Sequence, residues 1–175
     1  MNHSRPLSAR LAVIDLRHIT IISGGQTGAD RAALDFALEQ KISHGGWCPR
    51  GRLAEDGRIS PRYDLRETPS RKYSQRTEWN VRDSDASVLF TIDSKVVGGT
   101  ALALDWARQL GKPALHLYRN GASASEQAIE DAARKLRQFL AEHHVRRLNV
   151  AGPRASQQPE IGEFVGQVLQ CAMRA

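Results

Sequence analysis

The chain lacks most of the devices that hold a small or secreted protein together. Only two cysteines occur, Cys48 and Cys171, far apart and without metal-ligand spacing. That argues against a disulfide framework or a metal staple and suits a reducing compartment. No apolar run reaches the ~18 residues that a membrane span needs, so a membrane is not an expected partner. Arg10, Asp15 and Arg17 interrupt the apolar residues of the N-terminus. A secretory leader is therefore not expected, and the cytoplasm is the expected location. Internal repeats and low-complexity tracts are missing, and neither the Walker pattern nor the dinucleotide fingerprint is present.

What is present is an ordinary globular composition. At 175 residues, 41% hydrophobic and 25% charged, the chain can bury one proper core. Residues 1–17 read as a weakly specified arm, in which Leu11–Leu16 could pair or pack. Residues 18–175 read as a single domain. The formal net charge is +6 and the pI about 9.8, but the surplus is local. Arg50, Arg52, Arg58, Arg62, Arg66, Arg71, Lys72, Arg76 and Arg82 outweigh Glu55, Asp56, Asp64, Glu67 and Glu78 in one segment. A local basic segment suits a compact anion better than a long polyanion, so nucleic acid is not the expected partner.

The most informative stretch is residues 19–30. A β-branched run, Ile19-Thr20-Ile21-Ile22, suits a buried strand. It breaks into Ser23-Gly24-Gly25-Gln26-Thr27-Gly28, and Ala29, Ala32, Ala33, Phe36 and Ala37 then recur at helical spacing to near Gln40. Strand, glycine-rich turn and helix N-terminus together make a natural anion site. The bland alternative is a tight connection without a ligand. Further strands are expected at residues 42–47, 86–92, 114–118 and 145–151. Helices are expected at 73–82, after Thr100 to Gly111, at 126–143, and on the face carrying Ile161, Phe164, Val165, Val168 and Leu169. Residues 49–72 show no clean period and read as a long loop, functional or disordered. A Gly-Ala-Ser-Ala-Ser turn, 121–125, precedes the long helix.

Alternation of strands and helices implies an α/β domain with a mostly parallel sheet and helices on both faces. In such a sheet the strand ends share one edge, where ligands bind. Three of them run into glycine-bearing turns: Ser23–Gly28, Gly98-Gly99-Thr100 and Gly152-Pro153-Arg154. Together they suggest a phosphate cradle.

These motifs also resemble a known family. Residues 23–35 are similar to the opening signature of the molybdenum carrier proteins, the circularly permuted YpsA-related branch of the SLOG superfamily. The likeness continues through Gly45–Arg52, Glu55-Asp56-Gly57, Tyr73, Arg76–Val81, Ser84-Asp85-Ala86, Gly98-Gly99-Thr100 and Leu148–Ser156. It implies a Rossmann-like three-layer fold and a nucleotide-like or pterin-phosphate ligand, with molybdenum cofactor the named candidate. It also implies a homo-oligomer. Related phosphoribohydrolases place a glutamate soon after Gly-Gly-x-Gly-Thr. Here Ala101, Leu102, Ala103 and Leu104 follow Thr100, and the first acid is Asp105. A carboxylate must reach the reacting centre, so hydrolysis by that route is not expected. Ala103 also stands where the family often has threonine.

The candidate cradle is thus Ser23, Gly24, Gly25, Gln26, Thr27, Gly28, Gly98, Gly99, Thr100, Gly152, Pro153 and Arg154. Arg154 could hold an anion in bidentate fashion or form a structural ion pair. Arg50 and Arg52 could close over an anion or remain solvated. Arg76 and Asn80, one helical turn apart, could face the cleft or only cap and pair. Asp30 reads first as a helix-terminus carboxylate. Glu55 and Asp56 are candidate carboxylates for Mg²⁺ beside phosphates. Cys48 could touch molybdenum or be buried and inert. Trp47 and Trp79 could stack on a ring or pack in the core. The alternative functions are an enzyme acting on a nucleotide or its derivative, with Glu55, Asp56 or Asp85 as acid–base, and a nucleotide-sensing module.

Overall fold

The computed structural model describes residues 15–119 and 125–174. Strands β1 Thr20–Ile22, β2 His44–Gly45, β7 Ala86–Thr91, β8 Ala114–Tyr118 and β9 Arg147–Ala151 form one sheet in the order β2-β1-β9-β7-β8. Every pairing in it is parallel. The helices are α1 Ala29–Glu39, α2 Tyr73–Arg82, α3 Gly98–Gln109, α4 Glu126–Glu142 and α5 Ile161–Met173. Two short ladders besides these, β3 Trp47–Cys48 with β6 Arg66–Glu67 and β4 Leu53–Ala54 with β5 Gly57–Arg58, lie outside the main sheet.

Strand periodicity divides the core. Ile21, Val88, Phe90, Leu148 and Val150 face α1, α4 and α5 in the main cluster. Leu89 faces the other way and packs with Val81 of α2 and with Ala103 and Ala107 of α3. This is the Rossmann-like three-layer arrangement. Helices that carry the chain toward β2 lie on one face, and those that carry it toward β8 lie on the other, as one crossover hand requires. The chain leaves β1 for β2 through α1 and leaves β7 for β8 through α3. Between those diverging strands stands β9. A crevice must open over its carboxyl end, the topological switch point of the sheet.

The arm and loop expectations meet the structure in part. Residues 11–14 lie outside the described residues, but Leu16 is buried in the main core. Residues 121–124 of the expected turn also lie outside them. The strand expected at 42–47 is divided at Gly46: His44–Gly45 joins the main sheet, while Trp47–Cys48 pairs with Arg66–Glu67.

Residues 49–72 are an ordered subdomain rather than a disordered loop. Ile59, Tyr63 and Leu65 bury themselves with Cys48 and with Leu34 of α1. Their carbonyls converge on Arg52, whose guanidinium donates to Ile59 O (3.0 Å), Leu65 O (2.9 Å), Ser60 O (2.8 Å) and Tyr63 O (3.0 Å). One side chain thus satisfies the buried polar backbone of a segment with almost no secondary structure, as burial demands. Among the described residues, no helix is long and apolar enough to cross a membrane.

Candidate functional site

The switch-point crevice is a cavity of about 100 Å³ whose walls include Gln26 and Asp30 after β1, Arg76 on α2, Gly99 and Thr100 on α3, and Gly152 and Arg154 after β9. The three glycine-bearing turns therefore do converge at one edge. Their glycines do not play equal parts. A Cβ at Gly24 would lie 1.8 Å from Arg76 Nη1, and one at Gly25 would lie 2.6 Å from Leu65 Cδ1. At Gly28, with φ +76°, it would lie 2.5 Å from Pro153 O. The first turn uses its missing side chains to admit other parts of the protein. At Gly98 and Gly99 an added Cβ meets nothing within 4 Å, so only the α3 turn presents open backbone to a guest.

The floor is built around a buried carboxylate. The Asp30 side chain is 3% exposed and that of Arg76 is 14% exposed, with Nη1 donating to Oδ2 over 2.8 Å. The Gln26 amide N–H donates to the same oxygen at 3.3 Å. Burial pushes the Asp30 carboxyl above its usual range, against the opposing pull of Arg76 and that N–H. Gln26 is itself 5% exposed. Its Oε1 accepts from Thr27 N at 3.0 Å and from Glu55 N at 2.9 Å. Its Nε2 and the Nε of Arg76 are buried without a hydrogen-bond partner.

The mouth carries a loosely paired positive charge. Arg154, with its side chain 38% exposed, reaches Glu55 only at 3.9 Å. The guanidinium carbons of Arg154 and Arg76 lie 5.4 Å and 6.0 Å from the centre of the Tyr73 ring, which also lines the cavity. Neither Val97, the N-cap of α3, nor Gly28, that of α1, supplies a side-chain cap. The first amide of α1, Ala29 N, donates instead to Pro153 O at 3.2 Å, so it is α3 whose uncapped first turn faces the crevice with its positive dipole end.

The other expected residues divide by position. Ser23 is buried, its hydroxyl donating to Val150 O at 2.9 Å. Asn80 accepts from Trp47 N at 2.7 Å and donates to Trp47 O at 2.9 Å, so although it lines the cavity its amide is spent on holding β3. Arg52 is the carbonyl clamp described above, and exposed Arg50 does not line the cavity. Thr27 binds Glu55, whose carboxylate also accepts from Ser156 N at 3.1 Å and from the Ser156 hydroxyl. These bonds hold the Glu55 carboxyl below its usual range, opposite to what a general acid at neutral pH needs. Asp56 pairs with Arg31 at 3.1 Å. Asp85 accepts from Arg146 N and Arg147 N, each at 2.8 Å, ahead of β7 and β9 and so at the opposite edge of the sheet. Trp47 and Trp79 pack edge to face at 4.7 Å, and Trp47 Nε1 donates to Asp83 at 2.7 Å. Cys48 is buried, and burial pushes its thiol up.

The lining also includes polar residues not expected as site residues, among them Tyr73, Ser74, Thr77, Asn149 and Gln157. Asn149 left a signal, being a buried amide inside an otherwise apolar strand. Tyr73 was marked only by the family likeness, and Gln157 left no signal without the tertiary structure.

The model of the circularly permutated YpsA SLOG family matches residues 21–173. The chain belongs to this family. A crystal structure from Syntrophus aciditrophicus SB, titled "putative molybdenum carrier protein", is similar at 46% identity with a TM-score of 0.83. The similarity covers 90% of this chain and 96% of that one. The comparison with curated proteins found no match. Membership covers α1, the crevice and the loop subdomain alike, because all lie within residues 21–173.

Proposed function

We propose that this protein binds a phosphate-bearing pterin or nucleotide-like small molecule in the switch-point crevice, with molybdenum cofactor as its cargo. The observation that carries the reading is the pair of buried, unpartnered N–H donors, Gln26 Nε2 and Arg76 Nε, on residues of one cavity. A buried donor without an acceptor costs on the order of 1–3 kcal/mol. A guest that brings acceptors removes that cost. Arg154 and the uncapped N-terminus of α3 supply the attraction for a phosphate at the mouth. The name of the similar Syntrophus aciditrophicus protein supplies the cargo.

The cavity of about 100 Å³ is smaller than the roughly 300–1,000 Å³ of pockets that enclose whole drug-sized ligands. Only one end of such a molecule enters it, and the remainder lies over the open backbone of Gly98 and Gly99. Among the described residues, no group of three or more histidines, cysteines or carboxylates could hold a metal ion. The protein therefore grips the cargo by its organic part. Binding rather than turnover is the supported reading, since Glu55, Asp56 and Asp85 are each committed to structural bonds.

The test is direct. Protein purified from its native host is extracted, and the released small molecules are identified by mass spectrometry. In parallel, the protein is titrated with a pterin phosphate and with guanosine monophosphate. Saturable binding that Arg154→Ala weakens by roughly tenfold or more, the scale of a charge-assisted hydrogen bond, is expected. An extract without phosphate-bearing pterin or nucleotide, together with no saturable binding, overturns the proposal.

A further inference from the structure

The two orphaned donors point to more than an anion. Resting on the binding proposal above, we infer that Gln26 and Arg76 are specificity-determining residues that read a ring edge carrying two adjacent acceptors. Such an edge is the carbonyl oxygen and neighbouring hydrogen-free ring nitrogen shared by guanine and by oxidised or 7,8-dihydro 4-oxopterins.

The floor already contains Asp30, which accepts from the Arg76 guanidinium at 2.8 Å and from Gln26 N at 3.3 Å through the same oxygen. Arg76 is thereby matched in charge before any guest arrives. A phosphate dianion pushed to the floor would be set against a buried carboxylate with no spare cation. The least tightly paired positive charge lies at the mouth, on half-exposed Arg154, which meets Glu55 only at 3.9 Å. Phosphate belongs at the mouth, and a neutral acceptor group belongs at the floor.

The donor count then selects the ring. Gln26 can offer only Nε2, since Oε1 already accepts two N–H groups. Arg76 offers Nε. Two donors match an acceptor–acceptor edge. They clash with the edge of adenine, which pairs an acceptor with an amino donor. Tyr73 lies within the same cavity wall, with the guanidinium carbons of Arg154 and Arg76 at 5.4 Å and 6.0 Å from its ring centre. Sites that hydrogen-bond a substrate group discriminate strongly against analogues that lack it, because their own buried polar groups are then left unpaired.

Titration with guanosine, inosine and adenosine monophosphates and with a pterin phosphate tests this. The two oxo-purines and the pterin are expected to bind at least roughly tenfold tighter than adenosine monophosphate. Gln26→Glu keeps the Oε1 acceptor and replaces the donor by an acceptor. It should abolish the preference for the oxo-ligands over adenosine monophosphate. Arg76→Lys keeps the ion pair with Asp30, removes Nε, and should halve the logarithmic preference. It keeps the question answerable if Gln26→Glu does not fold. Equal affinity for all four ligands overturns the inference and leaves anion binding standing. Preference retained in folded Gln26→Glu and Arg76→Lys overturns the assignment of these residues. Failure of every ligand to bind refutes this inference and the binding proposal together.

Discussion

Gly24→Ala should disable the floor of the crevice without touching any ligand. Gly24 has no positive φ that only glycine tolerates, so its backbone can carry alanine. The added methyl, however, would lie 1.8 Å from Arg76 Nη1 and 2.5 Å from Cζ. The guanidinium must leave. Asp30, 2% exposed, then keeps its burial and loses its cation. Breaking a buried ion pair from one side costs roughly 3–5 kcal/mol, a large share of the ~5–15 kcal/mol that holds a domain folded. Urea unfolding followed by tryptophan fluorescence should show the midpoint falling by about 1.5 M, for a slope near 2–3 kcal/mol/M. The same substitution in an Arg76→Ala background should cost under about 1 kcal/mol, because the space is already empty. The deficit should also depend on pH. With its pKa raised in the folded state, Asp30 retains its full contribution below the unfolded value of 3.8 and loses it as pH rises through the folded value. Losing Arg76 raises that folded value further, so the Gly24→Ala deficit should be smallest near pH 4 and largest at pH 7. Equal costs in the two backgrounds would refute the steric argument.

Three further perturbations probe separate parts of the structure. Arg52→Ala strips the cation from four carbonyls and should cost roughly 2–4 kcal/mol in urea unfolding, with protease cleavage between residues 53 and 65 as the local readout. Glu55, whose pKa is depressed by its bonds to Ser156 and Thr27, contributes stability above its unfolded value, and that contribution is lost as pH falls through the lower folded value. Glu55→Gln should therefore flatten the acid limb of the thermal stability profile below about pH 4.5, and an unchanged acid limb would remove Glu55 from that role. Asp85→Ala should cost about 1 kcal/mol through two lost backbone N–H bonds yet leave nucleotide titrations unchanged, since it lies at the far edge of the sheet. A tenfold loss of binding there would mean that the site is misplaced.

Much of this architecture is determined locally. The β-branched run at Ile19–Ile22, the apolar strand Ala86–Thr91, and the helical spacing of Ala132, Leu136, Phe139 and Leu140 express burial through periodicity, which sequence carries directly. The convergence of three glycine-bearing turns likewise follows from the parallel rule. Tertiary structure alone decided what each residue does once there. Gly24 proved to be a recess for Arg76, Arg52 a clamp for carbonyls rather than an anion hook, Asp30 a buried counter-ion rather than a cap, and Glu55 a tie between two turns. The role of Glu55 depends on partners that arrive across 28 and 101 residues of chain, Thr27 and Ser156, and that of Asp30 on Arg76, 46 residues away. Periodicity records how deeply a side chain is buried, but a hydrogen bond is short and directional, so its partner is chosen only when the packed elements bring both atoms within reach.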